Sequence, residues 1–114
     1  MKNPLDPRHT KRQLLVQNLF KRDFYKQPTT KQAQQIFLAI EQIDKKIAEI
    51  APEFPVEKIN KTDLAILRLA IYELIIEKKE PQKVVLDEAI ELAKEFGGES
   101  SPGFINGALG KLII

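Results

Sequence analysis

The segment from residue 64 to residue 76 constrains the fold most, because it is apolar at almost every position. Only Arg68, Glu73 and the hydroxyl group of Tyr72 interrupt it. A helix that is apolar on all sides must be surrounded by other elements, so this segment predicts a helix at the centre of the fold. We expect that helix to run from a cap at Asn60 to about residue 79.

Four further segments show helical spacing of apolar residues between proline and glycine positions. They predict helices over about residues 10–25, 30–50, 81–96 and 101–112. Thr29 or Thr30 can cap the second of these helices, and Ser101 can cap the last. The sequence therefore predicts an all-α fold, a compact single-domain bundle of about five main helices. We expect Phe54, Val56 and Ile59 to hold the loop before the central helix against the core.

The length and composition limit the organisation and chemistry of the chain. Its 114 residues suit one domain, which we place at residues 10–114, after a flexible basic arm at residues 1–9. The chain has no cysteine and one histidine, which excludes a disulfide framework and a thiol nucleophile. No set of side chains suggests catalysis, so we expect neither an enzyme nor a cofactor nor a metal. No apolar run reaches the ~18 residues of a membrane span, and we expect a cytoplasmic protein.

Three local features have simple structural interpretations. His9 has no neighbours in a metal-ligand pattern, so we expect a surface histidine. The segment from Gly97 to Gly103 lacks the Lys and Ser/Thr of a phosphate-binding loop, so it predicts a helix end followed by a helix start. Gly107 and Gly110 favour a close contact between helices, with the approach of a ligand as the alternative.

The basic residues are concentrated at one end of the chain. Residues 1–31 have a net charge of +6 and the rest has −4, which together give the +2 of the whole chain. Lys11 and Arg22 lie about three helical turns apart and project in nearly the same direction, with Lys21 and Lys26 close to that side. Such a strip suits a polyanion such as RNA. From charge alone, a merely solvated helix face is an equal alternative.

The two charges within the apolar segment need partners from elsewhere. Arg68 and Glu73 lie about 140° apart on a helix, too far round to pair with each other. Because an isolated buried charge is costly, we expect each to bind a neighbouring helix or, alternatively, a protein partner.

The start of the last helix offers a second place for nucleic acid. Free backbone N–H groups follow Ser101 and can bind an anion, and the ring of Phe104 can stack on an unpaired base. This role for Phe104 requires that its ring does not pack inward.

Three blocks of sequence occur in an order that identifies a family. They are RQLLVQNLF at residues 12–20, TDLAILRLAIYELI at 62–75 and PQKVVLDEAIELAKEFGGESSPGFINGALGKL at 81–112. This order resembles the NusB family of bacterial transcription antitermination factors. The segment between the first two blocks is shorter than is usual in that family.

The resemblance implies an RNA-binding antitermination factor rather than an enzyme. It implies pairing with NusE, a small-subunit ribosomal protein, and binding of boxA-type single-stranded RNA in the transcription elongation complex, in support of ribosomal RNA transcription. The alternative is a helical scaffold that binds NusE with little or no RNA affinity of its own. Whether the chain forms a homodimer stays open.

The site residues come partly from the resemblance and partly from the charge pattern. By resemblance, the basic N-terminus and the loop before the last helix contact RNA, which gives Lys2, Arg8, Lys11, Arg12, Ser100, Ser101 and Phe104. The basic strip adds Lys21 and Arg22. The central helix provides two candidate contacts with NusE, Tyr72 and Glu73.

Overall fold

The computed structural model describes residues 6–25 and 30–113, without the side chains of residues 21–25. This part of the chain forms six α-helices and no strand, which confirms the all-α prediction. The helices are α1 (Pro7–Tyr25), α2 (Lys31–Leu38), α3 (Ile40–Ile50), α4 (Lys61–Ile71), α5 (Gln82–Phe96) and α6 (Ser101–Gly110). A 3-10 turn at Val56–Lys58 precedes α4, and a π-helical turn at Tyr72–Glu77 follows it.

Helix α4 is the centre of the bundle, as its apolar sequence predicts. Every residue from Asp63 to Ile71 is buried, and the helix packs against α1, α3, α5 and α6. Its first turn is capped by the side chain of Asn60, which accepts hydrogen bonds from the backbone N–H groups of Thr62 and Asp63. Helices α1, α3, α5 and α6 therefore pack around α4 and bury apolar side chains against it.

The helix predicted over residues 30–50 is two helices. Thr30 caps α2 by accepting a hydrogen bond from the N–H of Ala33 at 3.0 Å, but the helix ends at Leu38. Ala39 has φ −99° and ψ 11°, and α3 starts after it. Helix α2 packs on α1, whereas α3 packs on α4 and α6, so the bend lets each half follow its own neighbour.

The central helix changes its winding at Tyr72. The N–H of Lys78 donates to the carbonyl oxygen of Glu73, five residues earlier, at 2.9 Å, which is the hydrogen bond of a π-helix. Lys78 then adopts φ 55°, in the left-handed region, and ends the segment. Such turns occur often at functional sites, and this one holds Tyr72 and Glu73, both named from the sequence.

Helix α1 starts earlier than predicted. It begins at Pro7, and the carbonyl oxygen of Asp6 accepts hydrogen bonds from the N–H groups of His9 and Thr10. Residues 7–9 of the predicted flexible arm are therefore helical, while residues 1–5 lie outside the described part. None of the described helices is long and apolar enough to cross a membrane.

Candidate nucleic-acid interface

Arg8 and Lys11 are the exposed cations at the start of α1. Both border a groove of about 130 Å³ that runs between α1, α2 and the π-helical turn. The guanidinium of Arg8 lies 3.1 Å from a carboxylate oxygen of Glu80 and 3.4 Å from one of Asp6. Hydrogen bonds from Arg8, first from its backbone and then from its side chain, lower the pKa of Asp6. Arg8 thus reaches the surface with part of its charge already compensated.

Arg12, which the resemblance names among the RNA contacts of the basic N-terminus, is buried. Only 5% of the residue is accessible. Its Nε and Nη2 atoms donate to the two carboxylate oxygens of Glu73 at 2.8 and 2.7 Å, and its Nη1 atom lies 3.6 Å from Glu88. Burial opposes the charge of Arg12, but the hydrogen bond and the charge of Glu73 outweigh it, so the pKa of Arg12 is raised. Arg12 joins α1 to its neighbours instead of facing solvent.

His9 is also buried, so the prediction of a surface histidine is wrong. Its Nδ1 atom lies 2.6 Å from a carboxylate oxygen of Glu88, and its Nε2 atom lies 2.9 Å from one of Glu95. Burial would lower the pKa of His9, but the hydrogen bonds to Glu95 and Glu88 together outweigh it, and the pKa is raised. The buried side of the first turns of α1 therefore carries His9 and Arg12, which face the carboxylates of Glu88 and Glu95 on α5.

The rest of the predicted basic strip is only partly visible. Lys26 of the strip lies outside the described residues, as does Lys2, which the resemblance names, and the side chains of Lys21 and Arg22 are not described. Among the described members of the strip, Lys11 keeps an exposed side chain that forms no salt bridge shorter than 4 Å. The described side chains of α1 therefore offer two exposed cations, Arg8 and Lys11, to a candidate RNA surface.

The three candidates around the start of α6 have different environments. Ser100 is exposed, whereas Ser101 is buried and its hydroxyl accepts a hydrogen bond from the N–H of Gly98 at 3.0 Å. Helix α6 begins with Ser101 as its first helical residue, so the prediction that Ser101 is the cap is wrong. The cap position is Ser100, whose side chain makes no capping hydrogen bond. Phe104 is half-buried and packs against the core, yet it also borders a surface groove.

This second groove, of about 260 Å³, is the aromatic feature that the sequence analysis missed. We call it the α6 groove, and its lining residues are Ile50, Ala51, Glu53, Phe54, Gly103, Phe104, Gly107, Ala108 and Lys111. Phe54 is 52% exposed rather than packed inward as predicted. Its position between Pro52 and Pro55 could have suggested this, because prolines restrict how a loop folds back onto the core.

The glycines of α6 keep one wall of the groove open. No atom lies within 4 Å of the place where a Cβ would stand at Gly103, Gly107 or Gly110. The predicted close contact of Gly107 and Gly110 with another helix is therefore wrong. Lys111 adds a cation at the end of this wall, with its Nζ atom 2.9 Å from the carbonyl oxygen of Ile50 and 3.8 Å from a carboxylate oxygen of Glu53.

The two candidate contacts with a protein partner, Tyr72 and Glu73, differ in how far they are exposed. Tyr72 is half-buried and borders the groove beside Lys11, where burial and then the charge of Glu77 raise its pKa. Glu73 is bound to Arg12 and is only 6% exposed, so it is not a surface contact. Arg68 binds Asp44 of α3 with two hydrogen bonds, at 3.0 and 2.9 Å. Both charges of the apolar segment thus bind neighbouring helices, as predicted.

Two further features of the described residues bear on where a ligand could bind. An apolar groove of about 280 Å³ lies between α1, the start of α4 and the end of α5, and is lined by Val16, Gln17, Phe20, Thr62 and Phe96. Within residues 6–25 and 30–113, no group of three or more His, Asp or Glu side chains could hold a metal ion.

Comparison with known families gives one consistent match. A model of the NusB family matches residues 27–113. The chain is similar to the transcription antitermination protein NusB of Clostridium botulinum (strain Kyoto / Type A2), with 51% identity over 73 residues, which cover 64% of this chain and 51% of that protein. It is also similar to the protein of that name from Chloroflexus aggregans, with 47% identity over 73 residues, covering 62% of this chain and 49% of that protein.

The chain spans about half the length of these curated relatives. Similarity to a solved structure extends further. The fold superposes on T. maritima NusB with a TM-score of 0.82 and 30% sequence identity, covering 98% of this chain and 92% of that one. The helical bundle is thus shared over nearly its whole extent.

Proposed function

This chain belongs to the NusB family of transcription antitermination proteins, and from that premise we propose that it binds boxA-type single-stranded RNA together with NusE. Bound in this way, it acts in the transcription elongation complex and supports ribosomal RNA transcription. It works as an adaptor that brings two macromolecules together, and its own contribution is binding rather than catalysis.

The observation that carries this proposal is the composition of the α6 groove. Phe54 and Phe104 border the same depression, and Phe54 is more than half exposed. Single-stranded RNA is bound by stacking its unpaired bases on aromatic side chains while cations hold the phosphates. Lys111 supplies a cation at the groove, and the open wall at Gly103 and Gly107 leaves room for a nucleotide.

The exposed side of α1 supports the same proposal more weakly. Lys11 offers an ammonium group to a phosphate, and Arg8 keeps 62% of its side chain exposed despite its contacts with Asp6 and Glu80. Arg12 contributes indirectly, since its bonds to Glu73 hold α1 in place. Phosphate contacts of this kind fix the path of a strand without reading its sequence.

A protein partner such as NusE has two apolar areas available. One is the groove beside Tyr72, whose floor includes Leu15, Ile36 and Leu69. The other is the groove at Phe20 and Phe96. Aromatic side chains at the rim of such grooves are frequent anchors of protein interfaces.

The alternative function is a scaffold that binds NusE with little RNA affinity of its own. The burial of Arg12 and the pairing of Arg8 with carboxylates favour it, because both remove charge that RNA could use. The two functions differ in one measurable respect, which is the affinity of the isolated protein and of its NusE complex for RNA.

Titration of labelled RNA separates them. A boxA-type strand and a scrambled strand of the same composition are each titrated with the protein, with and without NusE, at two salt concentrations. We expect tighter binding of the boxA-type strand in the presence of NusE, and affinity that falls as salt rises. Equal affinity for both strands in all conditions would contradict the proposal, and NusE binding without any RNA binding would establish the scaffold.

A further inference from the structure

The only histidine of the chain lies between two carboxylates of the opposite helix. His9 is 3% exposed, and its Nδ1 atom is 2.6 Å from Oε2 of Glu88. Its Nε2 atom lies 2.9 and 3.1 Å from the two carboxylate oxygens of Glu95. Both ring nitrogens therefore meet oxygen acceptors supplied by α5, one turn of α1 before the buried Arg12.

This geometry requires a particular protonation state. A neutral imidazole ring has one N–H group, so one of its nitrogens would present a lone pair to a carboxylate oxygen. Only the imidazolium form can donate to Glu88 and Glu95 at the same time. We propose that His9 is a proton-operated clasp, which holds the first turns of α1 against α5 while the His9–Glu88–Glu95 cluster retains its extra proton.

The charged groups around His9 favour its protonated form, because carboxylates outnumber cations there. Arg12, from the same helix, lies 3.6 Å from Glu88 but gives its two short hydrogen bonds to Glu73. The amide nitrogen of Gln13 is 3.2 Å from Glu95 and brings no charge. Glu80 also lies 3.7 Å from the guanidinium of Arg12. Glu73, Glu88 and Glu95 carry three negative charges against the one positive charge of Arg12, so a proton on His9 lowers the excess from two negative charges to one.

The direction of the pH effect follows from the raised pKa of His9. A group whose pKa is higher in the folded than in the unfolded protein stabilises the fold below its unfolded pKa, and this stabilisation disappears as pH rises through the folded value. The clasp is therefore closed below the ordinary pKa of histidine and opens as the pH rises through the raised pKa of His9. Opening leaves Glu88 and Glu95 facing a neutral ring.

Opening would affect the start of α1, which carries Arg8 and Lys11. If the proposed function holds, RNA affinity then falls with rising pH through loss of order at these two cations. The clasp itself does not depend on that function, and it can be tested on the free protein without RNA or NusE.

The test is an NMR titration of the His9 ring in three proteins: wild type, Glu95→Gln and Glu91→Gln. Glu91 is a carboxylate of the same helix that is not among the contacts of His9. We expect the wild-type ring to titrate above its ordinary value of 6.5. Glu95→Gln lowers that midpoint, and Glu91→Gln leaves it nearly unchanged. A wild-type midpoint at or below the ordinary value, or no effect of Glu95→Gln, would overturn the proposal.

A second measurement on the wild type reports on the helix itself. Amide hydrogen exchange over residues 9–12 is compared below and above the midpoint, after correction for the intrinsic rise of exchange with pH. We expect it to be about tenfold faster above the midpoint, while exchange in α4 stays constant. Equal corrected rates on both sides would show that the proton does not hold the helix, even if the ring titrates as expected.

Discussion

Arg12 and Glu73, 61 residues apart in the chain, face each other with two parallel hydrogen bonds. Nε and Nη2 of Arg12 donate to the two oxygens of Glu73 at 2.8 and 2.7 Å, and both side chains are less than 10% exposed. The pair joins α1 to the π-helical turn after α4. Paired buried charges tolerate the loss of both partners far better than the loss of one.

Arg12→Met should destabilise the protein by about 3–5 kcal/mol, because it leaves the Glu73 carboxylate buried without its partner. Lys11→Met, the same change at the exposed neighbouring position, should cost less than about 0.5 kcal/mol. Urea denaturation followed by circular dichroism measures both. Adding Glu73→Met to Arg12→Met should recover part of the loss, and a double variant less stable than Arg12→Met would contradict this interpretation.

Gly97→Ala should destabilise the junction between α5 and α6. A Cβ at Gly97 would stand 2.5 Å from Cβ and Oγ of Ser101 and 2.7 Å from the carbonyl oxygen of Ala93, so the buried serine or the backbone must move. We expect a loss of about 1–3 kcal/mol in the free energy of unfolding. Gly98→Ala is the control, since a Cβ there meets open space, and it should change stability by less than about 0.5 kcal/mol. Equal effects of the two changes would rule out this crowding.

Lys11→Gln should weaken RNA binding without a change in stability. Removing one phosphate contact should reduce the dependence of log affinity on log salt by about one, for boxA-type and scrambled strands alike. Lys45→Gln, an equivalent change at an exposed lysine of α3, is the matched control. If both variants lower the affinity equally, the effect of Lys11 is one of net charge and not of position.

Phe54→Ala should reduce RNA affinity by about 1–3 kcal/mol, the usual value of an aromatic ring that stacks on a base. The ring is 52% exposed, so its removal should leave the fold intact. Leu38→Ala removes an apolar side chain that is 84% exposed at the junction of α2 and α3 and serves as control. Fluorescence titration of labelled RNA compares the two variants, and unchanged affinity in Phe54→Ala would remove Phe54 from the interface.

The sequence predicted both the central helix and the pairing of its two charged residues. The helix follows from the local apolar pattern, and the pairing follows from the free-energy cost of burying an unpaired charge. The apolar run at residues 64–76 could only be buried, and a buried Arg68 or Glu73 must have a partner. The identity of those partners, Asp44 and Arg12, depends on how distant helices pack. Spacing along the chain does not contain that information.

The burial of His9 and Arg12 could have been recognised from the sequence. Residues at steps of three and four share one face of a helix. His9 and Arg12 continue such a series with two apolar residues of α1, Val16 and Leu19. The family resemblance instead names Arg12 as an RNA contact and does not take this helix face into account. The bend at Ala39 and the π-helical turn at Tyr72 are different, since each is set by packing against several helices and leaves no mark in a continuous apolar pattern.

The location of the bound RNA is tested most directly by NMR. Backbone amide spectra of the labelled protein with NusE are recorded while boxA-type RNA is added, and then with the scrambled strand. We expect saturable shifts of the amide signals of Phe54, Gly103 and Gly107 with the boxA-type strand and much smaller shifts with the scrambled strand. The amide signal of the exposed Leu38 should not shift with either strand. Saturable binding that leaves these three amides unmoved would contradict the assignment of the α6 groove as the RNA site.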